Sequence, residues 1–140
     1  MVAGRRPRES GTKPGAAGGV ILDSGAFVAL EKGDPVMTHL VDRFTSEATS
    51  LVTSAGVVAE IWRGGTGAQV PVVFLLRRTR VVDLTDAVAR ILGLMIGARR
   101  TRDPIDAHIV LLARERGWPV LSSDAADLLS IDPTLHVEEI

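Results

Sequence analysis

Residues 103–128 have the sequence DPIDAHIVLLARERGWPVLSSDAADL, and this stretch predicts a helix, a buried strand and a second helix. Asp103 and Pro104 are typical of a helix start, because aspartate caps free amide groups and proline fits the first helical position. Gly117 ends that helix, and the largely apolar residues 118–122 predict a strand. A buried strand between two helices is typical of a parallel α/β sheet.

The same alternation of short apolar runs and longer amphipathic runs continues along the chain from Val20. We therefore predict an α/β fold with a parallel sheet. The strands at 20–23, 80–84 and 118–121 are nearly all apolar, so helices should cover them on both faces. The predicted strands are 20–23, 50–53, 80–84, 118–122 and 136–139, and the predicted helices are 35–46, 55–62, 70–78, 85–98, 104–116 and 124–130.

One domain follows a tail. The chain has 140 residues, of which 46% are hydrophobic, and this length fits a single domain. Residues 1–19 are rich in Gly, Pro and Arg and lack an apolar period, so we predict a flexible tail before a domain at 20–140. Four basic residues and one acidic residue give the tail a charge of +3, which leaves −4 of the total −1 for the domain. The tail either helps to hold RNA or is an extension without a role, and we favour the second interpretation.

The composition excludes several classes of site. There is no Cys, and three scattered His residues do not suggest a zinc site. The net charge of −1 does not indicate a generally basic nucleic-acid binder, and phosphate-loop and nucleophile-elbow motifs are missing. The longest apolar run, 70–76, is far shorter than the roughly 18 residues of a membrane span. No cleavage site follows the arginine pair at 5–6, so we expect a cytoplasmic protein without a membrane anchor.

Four acidic residues are candidates for a metal site. Asp23 ends the first predicted strand and Asp124 follows the fourth, and open α/β sheets bind ligands at the carboxyl ends of their strands. Glu60 and Asp106 lie on predicted helices. A set of carboxylates without His or Cys suits Mg²⁺ or Mn²⁺, which would relieve repulsion and lower the pKa of a bound water. This pattern indicates metal-assisted hydrolysis of a phosphodiester bond.

Three segments and a closing strand occur in the order and spacing of a known family: VILDSGAFVALE at 20–31, VVAEIWRG at 57–64 and DAHIVLLARERGWPVLSSDAADL at 106–128. The chain from 20 to 140 resembles the PIN domain, and its size and layout are similar to those of VapC-type toxin ribonucleases of bacterial toxin–antitoxin pairs. The resemblance implies a PIN-like three-layer sandwich with a central parallel sheet of four or five strands. It also implies an Mg²⁺- or Mn²⁺-dependent endoribonuclease that acts on RNA and is restrained by a cognate antitoxin.

The resemblance also assigns residues. It implies that four acids bind the metal and activate water, and these are Asp23, Glu60, Asp106 and Asp124. An additional acid corresponds to Asp127, and a hydroxyl before the fourth acid corresponds to Ser122 or Ser123. Asp103 is better explained as a helix cap, although an auxiliary role stays open. We expect His108 to be a surface or packing residue.

Several alternatives remain at this stage. Each acid also has a structural explanation, as a turn residue, a solvated helix residue or an acid at a helix start. A rim of arginines at 63, 99, 100 and 102 either attracts RNA or is an ordinary solvated loop. The resemblance implies a homodimer, for which the apolar 70–76 segment could supply the surface, and we expect an antitoxin groove along 36–44 and 57–62. The rival functions are a PIN-like RNA-binding or regulatory protein without catalysis and a PIN-type RNA-processing nuclease with no antitoxin.

The tail interpretation predicts a result for limited proteolysis. Because residues 1–19 lack an apolar period, a protease should remove them and leave a compact core that begins near Val20 and unfolds at the same temperature as the full chain. Mass spectrometry of the fragments and thermal unfolding of the trimmed protein measure both points. Protection of the tail, or loss of the folded core on its removal, would contradict the prediction.

Overall fold

The computed structural model describes residues 18–99 and 103–140. In this part of the chain five strands alternate with seven α-helices and one short 3₁₀ helix at Gly67–Gln69. The strands are β1 (Gly19–Leu22), β2 (Ser50–Ser54), β3 (Thr79–Val82), β4 (Val120–Ser122) and β5 (Val137–Glu139), and the helices are α1 (Ser24–Glu31), α2 (Pro35–Ser46), α3 (Ala55–Ile61), α4 (Val70–Arg77), α5 (Asp86–Gly97), α6 (Pro104–Arg116) and α7 (Ala125–Ile131). The predicted α/β class is confirmed.

The five strands form one parallel sheet in the order β3-β2-β1-β4-β5. Val20 pairs with Leu51 on one side of β1, and Ile21 pairs with Val120 on the other. The chain first builds outward from β1 to β3 and then returns to place β4 on the opposite side of β1. In such a sheet the ligand crevice opens where the winding direction changes, outside the carboxyl ends of the strands. Here that point lies between β1 and β4.

Helices cover both faces of the sheet. Helix α1 packs against β1 and β4 and contacts α2, α3 and α4, whereas α6 packs against β1 and β2 and contacts α5 and α7. Right-handed crossovers place the helices that connect β1 to β3 on one face and those that lead to β4 and β5 on the other. The core lies between these layers, and α6 is its most deeply buried helix, with residues 107–110, 112 and 113 all buried.

Capping residues explain the helix boundaries that the sequence predicted. Asp34 accepts a hydrogen bond from the Met37 amide at 2.9 Å, and Pro35 begins α2 as expected. Gly117 ends α6 in the left-handed conformation, with φ 68°. Helix α1 was not predicted, because Asp23 was interpreted as the end of a strand. Asp23 is both the residue after β1 and the cap of α1, so strand and helix follow one another without a loop.

Two expectations about the strands are wrong. Strand β3 was expected to be covered on both faces, but it lies at the edge of the sheet, and Arg80 and Val81 are exposed. An apolar run predicts that a segment forms a strand, but it does not indicate how many strands lie beside it in the sheet. In addition, β1 begins at Gly19, within the predicted tail. A Cβ on Gly19 would lie 2.6 Å from the Ser50 carbonyl oxygen, so this pairing requires glycine. Residues 1–17 of the predicted tail lie outside the described residues.

Helices α2 and α3, along which the antitoxin groove was predicted, both pack against α1, and the groove itself stays a prediction. Two grooves flank α2. One, of about 580 Å³, runs between α1, the start of α2 and Ser123. The other, of about 430 Å³, runs between α2 and the β5 edge and shares Ile140 with the first. In residues 18–99 and 103–140 no helix is long and apolar enough to cross a membrane.

Candidate metal and nuclease site

Asp23 lies at the point where the winding of the sheet changes direction. Its side chain is buried, and both carboxylate oxygens accept hydrogen bonds, from the Ser24 amide at 2.8 Å and from the Ser122 hydroxyl at 2.8 Å. The Ser122 oxygen also accepts the amide of Asp124 at 2.9 Å. One buried hydroxyl therefore connects the end of β1 to the end of β4. Burial raises the pKa of Asp23, and the hydrogen bonds from Ser122 and Ser24 partly offset that rise.

Two glycines allow the helices around this point to approach closely. A Cβ on Gly25 would lie 2.9 Å from the Ser123 amide nitrogen, and a Cβ on Gly56 would lie 2.8 Å from Ile105 Cγ1. Hence α1 can lie against the β4–α7 connection, and α3 can lie against the first turn of α6. The starts of four helices meet at the carboxyl edge of the sheet, where their partial positive charge favours carboxylates.

Asp23 lies within electrostatic reach of both Asp106 and Glu60, and Asp124 lies within reach of Asp106. Asp106 lies in the first turn of α6 and is half-buried. Burial raises its pKa to about 7, and the negative charges of Asp103, Asp23, Asp127 and Asp124 add to that rise. Partial burial likewise raises the pKa of Glu60, followed by the charges of Asp103 and Asp23. The four charges that act on Asp106 are all negative, so its ionised form is disfavoured, and a nearby cation would favour it.

The auxiliary candidates have separate structural roles. Asp103 caps α6, because its Oδ1 accepts the Ile105 amide at 2.9 Å and the Asp106 amide at 3.3 Å. The cap interpretation is confirmed, and the Asp103 charge also acts on three of the four acids. Asp124 is exposed immediately before α7 and makes no capping bond with its side chain. A hydrogen bond with Asp124, and then its charge, raises the pKa of Asp127.

The donor set fits a hard divalent cation, because every side chain in the cluster offers oxygen and the local charge is negative. The coordination shell itself is not formed. Among the residues that the structure describes, no three His, Asp or Glu side chains are close enough together to hold one ion. The structure therefore places a crowded carboxylate cluster at the crevice, and the assignment of metal ligands stays a prediction.

The sequence analysis did not predict the buried contacts of Ser54, His108 and Gln69. His108 is fully buried, so the packing alternative is confirmed and the surface alternative is excluded, and its Nδ1 lies 2.6 Å from the Ser54 hydroxyl. Gln69 is also buried, and its amide bonds to Glu31 and to the backbone of the connection after α3. Local sequence spacing does not reveal these hydrogen bonds, since Ser54 and His108, for example, are 54 residues apart.

The predicted arginine rim is only partly described. Arg63 uses its guanidinium to donate to the Ile61 carbonyl at 2.8 Å, which ties it to the end of α3. Arg99 is exposed after α5, and Arg100 and Arg102 lie outside the described residues. Contact between the rim and RNA stays a prediction.

Comparisons with known proteins agree with this arrangement. The family model described as the PIN domain matches residues 20–131. A comparison with curated proteins gives no match. Three similar solved structures are DNA-bound VapBC from Salmonella typhimurium (22% identity, TM-score 0.65, covering 87% of this chain and 98% of that one), VapBC2 from Rickettsia felis bound to promoter DNA (15%, 0.62, 86% and 98%) and VapC20 from Mycobacterium tuberculosis, a sarcin–ricin loop cleaving toxin (20%, 0.54, 72% and 86%). At these identities the likeness shows the fold alone.

Asp106→Asn should leave the fold intact and stabilise the metal-free protein above neutral pH. The pKa is about 7 in the folded chain against a reference of 3.8, so the folded state retains the proton longer. Wild-type stability should therefore fall as the pH rises through that window, and the neutral amide should escape this loss. Thermal unfolding in EDTA from about pH 4 to about pH 8 measures the difference.

The matched control is Asp42→Asn, at an exposed position of α2, which should show no such gain. An unfolding temperature for Asp106→Asn that falls well below that of the wild type at every pH would show that the carboxylate is structural.

Proposed function

The chain belongs to the PIN domain family, and on that premise we propose that it is a VapC-type toxin, an endoribonuclease that hydrolyses RNA phosphodiester bonds with Mg²⁺ or Mn²⁺ and is neutralised by a cognate antitoxin. The observation that carries this proposal is the hydrogen-bonded connection of Asp23 and Asp124 through Ser122 at the carboxyl ends of β1 and β4, close to Asp106, whose pKa is raised to about 7 by burial and by four surrounding carboxylates. A cluster of this kind, beside a buried Asp23 at the crevice of a parallel sheet, favours binding of a divalent cation.

We assign the cation to Asp23, Glu60, Asp106 and Asp124. When bound, it would lower the pKa of a water molecule and offset the charge of the phosphorane-like transition state. The chain's own residues prepare the site. The Ser122 hydroxyl orients Asp23, and the Asp103 cap holds the first turn of α6, which presents Asp106. Asp127 is an auxiliary acid beside Asp124.

The structural neighbours support the choice within the family. One is described as a toxin that cleaves the sarcin–ricin loop, and two are VapBC structures bound to DNA. We therefore propose an RNA substrate and a protein antitoxin, and a cytoplasmic location where both are present. Val70 and Phe74 leave apolar surface exposed on α4, which supports the proposed homodimer.

Removal of metal should abolish activity. With RNA as substrate, EDTA should stop cleavage, and excess Mn²⁺ or Mg²⁺ should restore it, because the carboxylates alone cannot stabilise the added charge. Asp23→Asn and Asp106→Asn should lower the rate to below about 1% of wild type in saturating metal, while Asp42→Asn should keep it. Cleavage that continues undiminished in chelator would rule out the mechanism, and RNA binding without cleavage in metal would favour the regulatory alternative.

We expect the antitoxin to neutralise the cluster with a guanidinium, because arginine stays charged and pairs with carboxylates through two hydrogen bonds. The groove of about 580 Å³ reaches Ser24, Gly25 and Ser123, so a segment in it would end beside Asp23. The product of the adjacent small gene should inhibit cleavage on titration, and replacement of one of its basic residues should restore cleavage while the complex persists. Tight binding that leaves cleavage intact would contradict this form of inhibition.

A further inference from the structure

A buried hydrogen bond joins the residue that caps α3 to α6, and these two helices carry Glu60 and Asp106. Ser54 is the last residue of β2 and His108 lies in the middle of α6, and both are buried. The Ser54 Oγ and the His108 Nδ1 are 2.6 Å apart. A buried hydrogen bond of this kind is costly to break, because either partner would be left unsatisfied.

The direction of this bond follows from the other partner of Ser54. The serine oxygen accepts the Gly56 amide at 2.9 Å and thereby caps α3. Among the described contacts of Ser54, the His108 Nδ1 is the acceptor that lies within reach of the hydroxyl proton. The serine hydroxyl therefore donates to Nδ1, and the ring proton lies on Nε2. One serine thus accepts from the start of α3 and donates to α6.

These contacts set the position of two candidate ligands. Ser54 caps the helix that bears Glu60, and His108 follows Asp106 by two residues on α6. The same two helices touch where Gly56 meets Ile105. Repulsion acts against this approach, because Asp103, which caps α6, and Glu60 on α3 are both acidic and interact electrostatically. A neutral buried bond resists the separation without adding charge to the cluster.

We propose that Ser54 and His108 are positioning residues, whose hydrogen bond holds the first turn of α6 against the start of α3 so that Glu60 and Asp106 can share one cation. The inference rests on the proposed function. Loss of groups that orient metal ligands typically weakens metal binding by roughly 10- to 100-fold. Because neither residue is a ligand here, we expect about tenfold weaker binding, equivalent to about 1.4 kcal/mol.

The test is a double-mutant cycle on the full chain with Mn²⁺ alone as the probe. Isothermal titration calorimetry gives the dissociation constant for wild type, Ser54→Ala, His108→Leu and the double variant, and thermal unfolding in EDTA gives their metal-free stability. Each single variant should bind Mn²⁺ about tenfold more weakly. The double variant should bind no more weakly than the worse single variant, because both substitutions remove the same bond.

Two further variants separate positioning from general stability. Thr79→Val removes another buried hydrogen bond, which the Thr79 hydroxyl donates to the Leu75 carbonyl at 2.7 Å. Thr79 is the first residue of β3, so this bond lies at the amino ends of the strands and away from the acidic cluster. This substitution should lower metal-free stability and leave Mn²⁺ affinity unchanged. His108→Asn keeps an acceptor near the place of Nδ1 and should recover most of the affinity. If His108→Leu does not fold, Ser54→Ala and His108→Asn carry the comparison.

Three outcomes would overturn the inference. Unchanged Mn²⁺ affinity in folded Ser54→Ala would show that the bond serves stability alone. Additive losses in the double variant would show that the two residues act separately. If the wild-type protein binds no Mn²⁺, the proposed metal dependence is wrong, and this inference is wrong with it. If the wild type binds Mn²⁺ and the variants bind it with the same affinity, only this inference is wrong.

Discussion

The Asp23 carboxylate is buried at the end of β1, where the Ser24 amide and the Ser122 hydroxyl each hold one oxygen. A buried carboxylate without such partners would be strongly destabilising. These bonds require β4 to lie beside β1 with its carboxyl end level with Asp23, as the pairing of Leu22 with Leu121 ensures. The sheet order and the position of the crevice therefore depend on the same contact that orients the first acid.

The remaining acids are held near Asp23 against their mutual repulsion. Apolar burial along α6 and the close approaches at Gly25 and Gly56 supply the opposing stability. Burial, and then the neighbouring negative charges, raise the pKa of Asp106 to about 7, so the metal-free protein becomes less stable as that group ionises. A region that loses stability in this way is typical of a functional site, because selection retains it only where it has a use.

Local features of the sequence predicted much of the fold, and contacts between distant segments account for what they missed. The caps at Asp34 and Asp103 and the glycine at 117 determined the ends of α2 and α6, since these bonds lie within a few residues. The edge position of β3 depends on how many strands pair with it, and its own residues do not record that number. The bond between Ser54 and His108 joins residues far apart in the chain, so spacing could not reveal it. Asp23, Asp106 and Asp124 could be found because each stands at the end of a strand or near the start of a helix, whereas Glu60, near the end of α3, was assigned by the resemblance to the PIN domain.

The negative charge of the acidic cluster connects the proposed hydrolysis of RNA with its proposed inhibition by an antitoxin. The domain carries a net charge of −4, and the proposed RNA substrate would add further negative charge, so its phosphate could approach the cluster only when a cation offsets the carboxylates. In the proposed reaction a divalent metal ion would provide that charge during hydrolysis, and an antitoxin guanidinium would provide it during inhibition. Both cations would satisfy the same carboxylates, so they compete. Inhibition should then weaken as the Mn²⁺ concentration rises, whereas an antitoxin that blocked only access to RNA would show no such dependence.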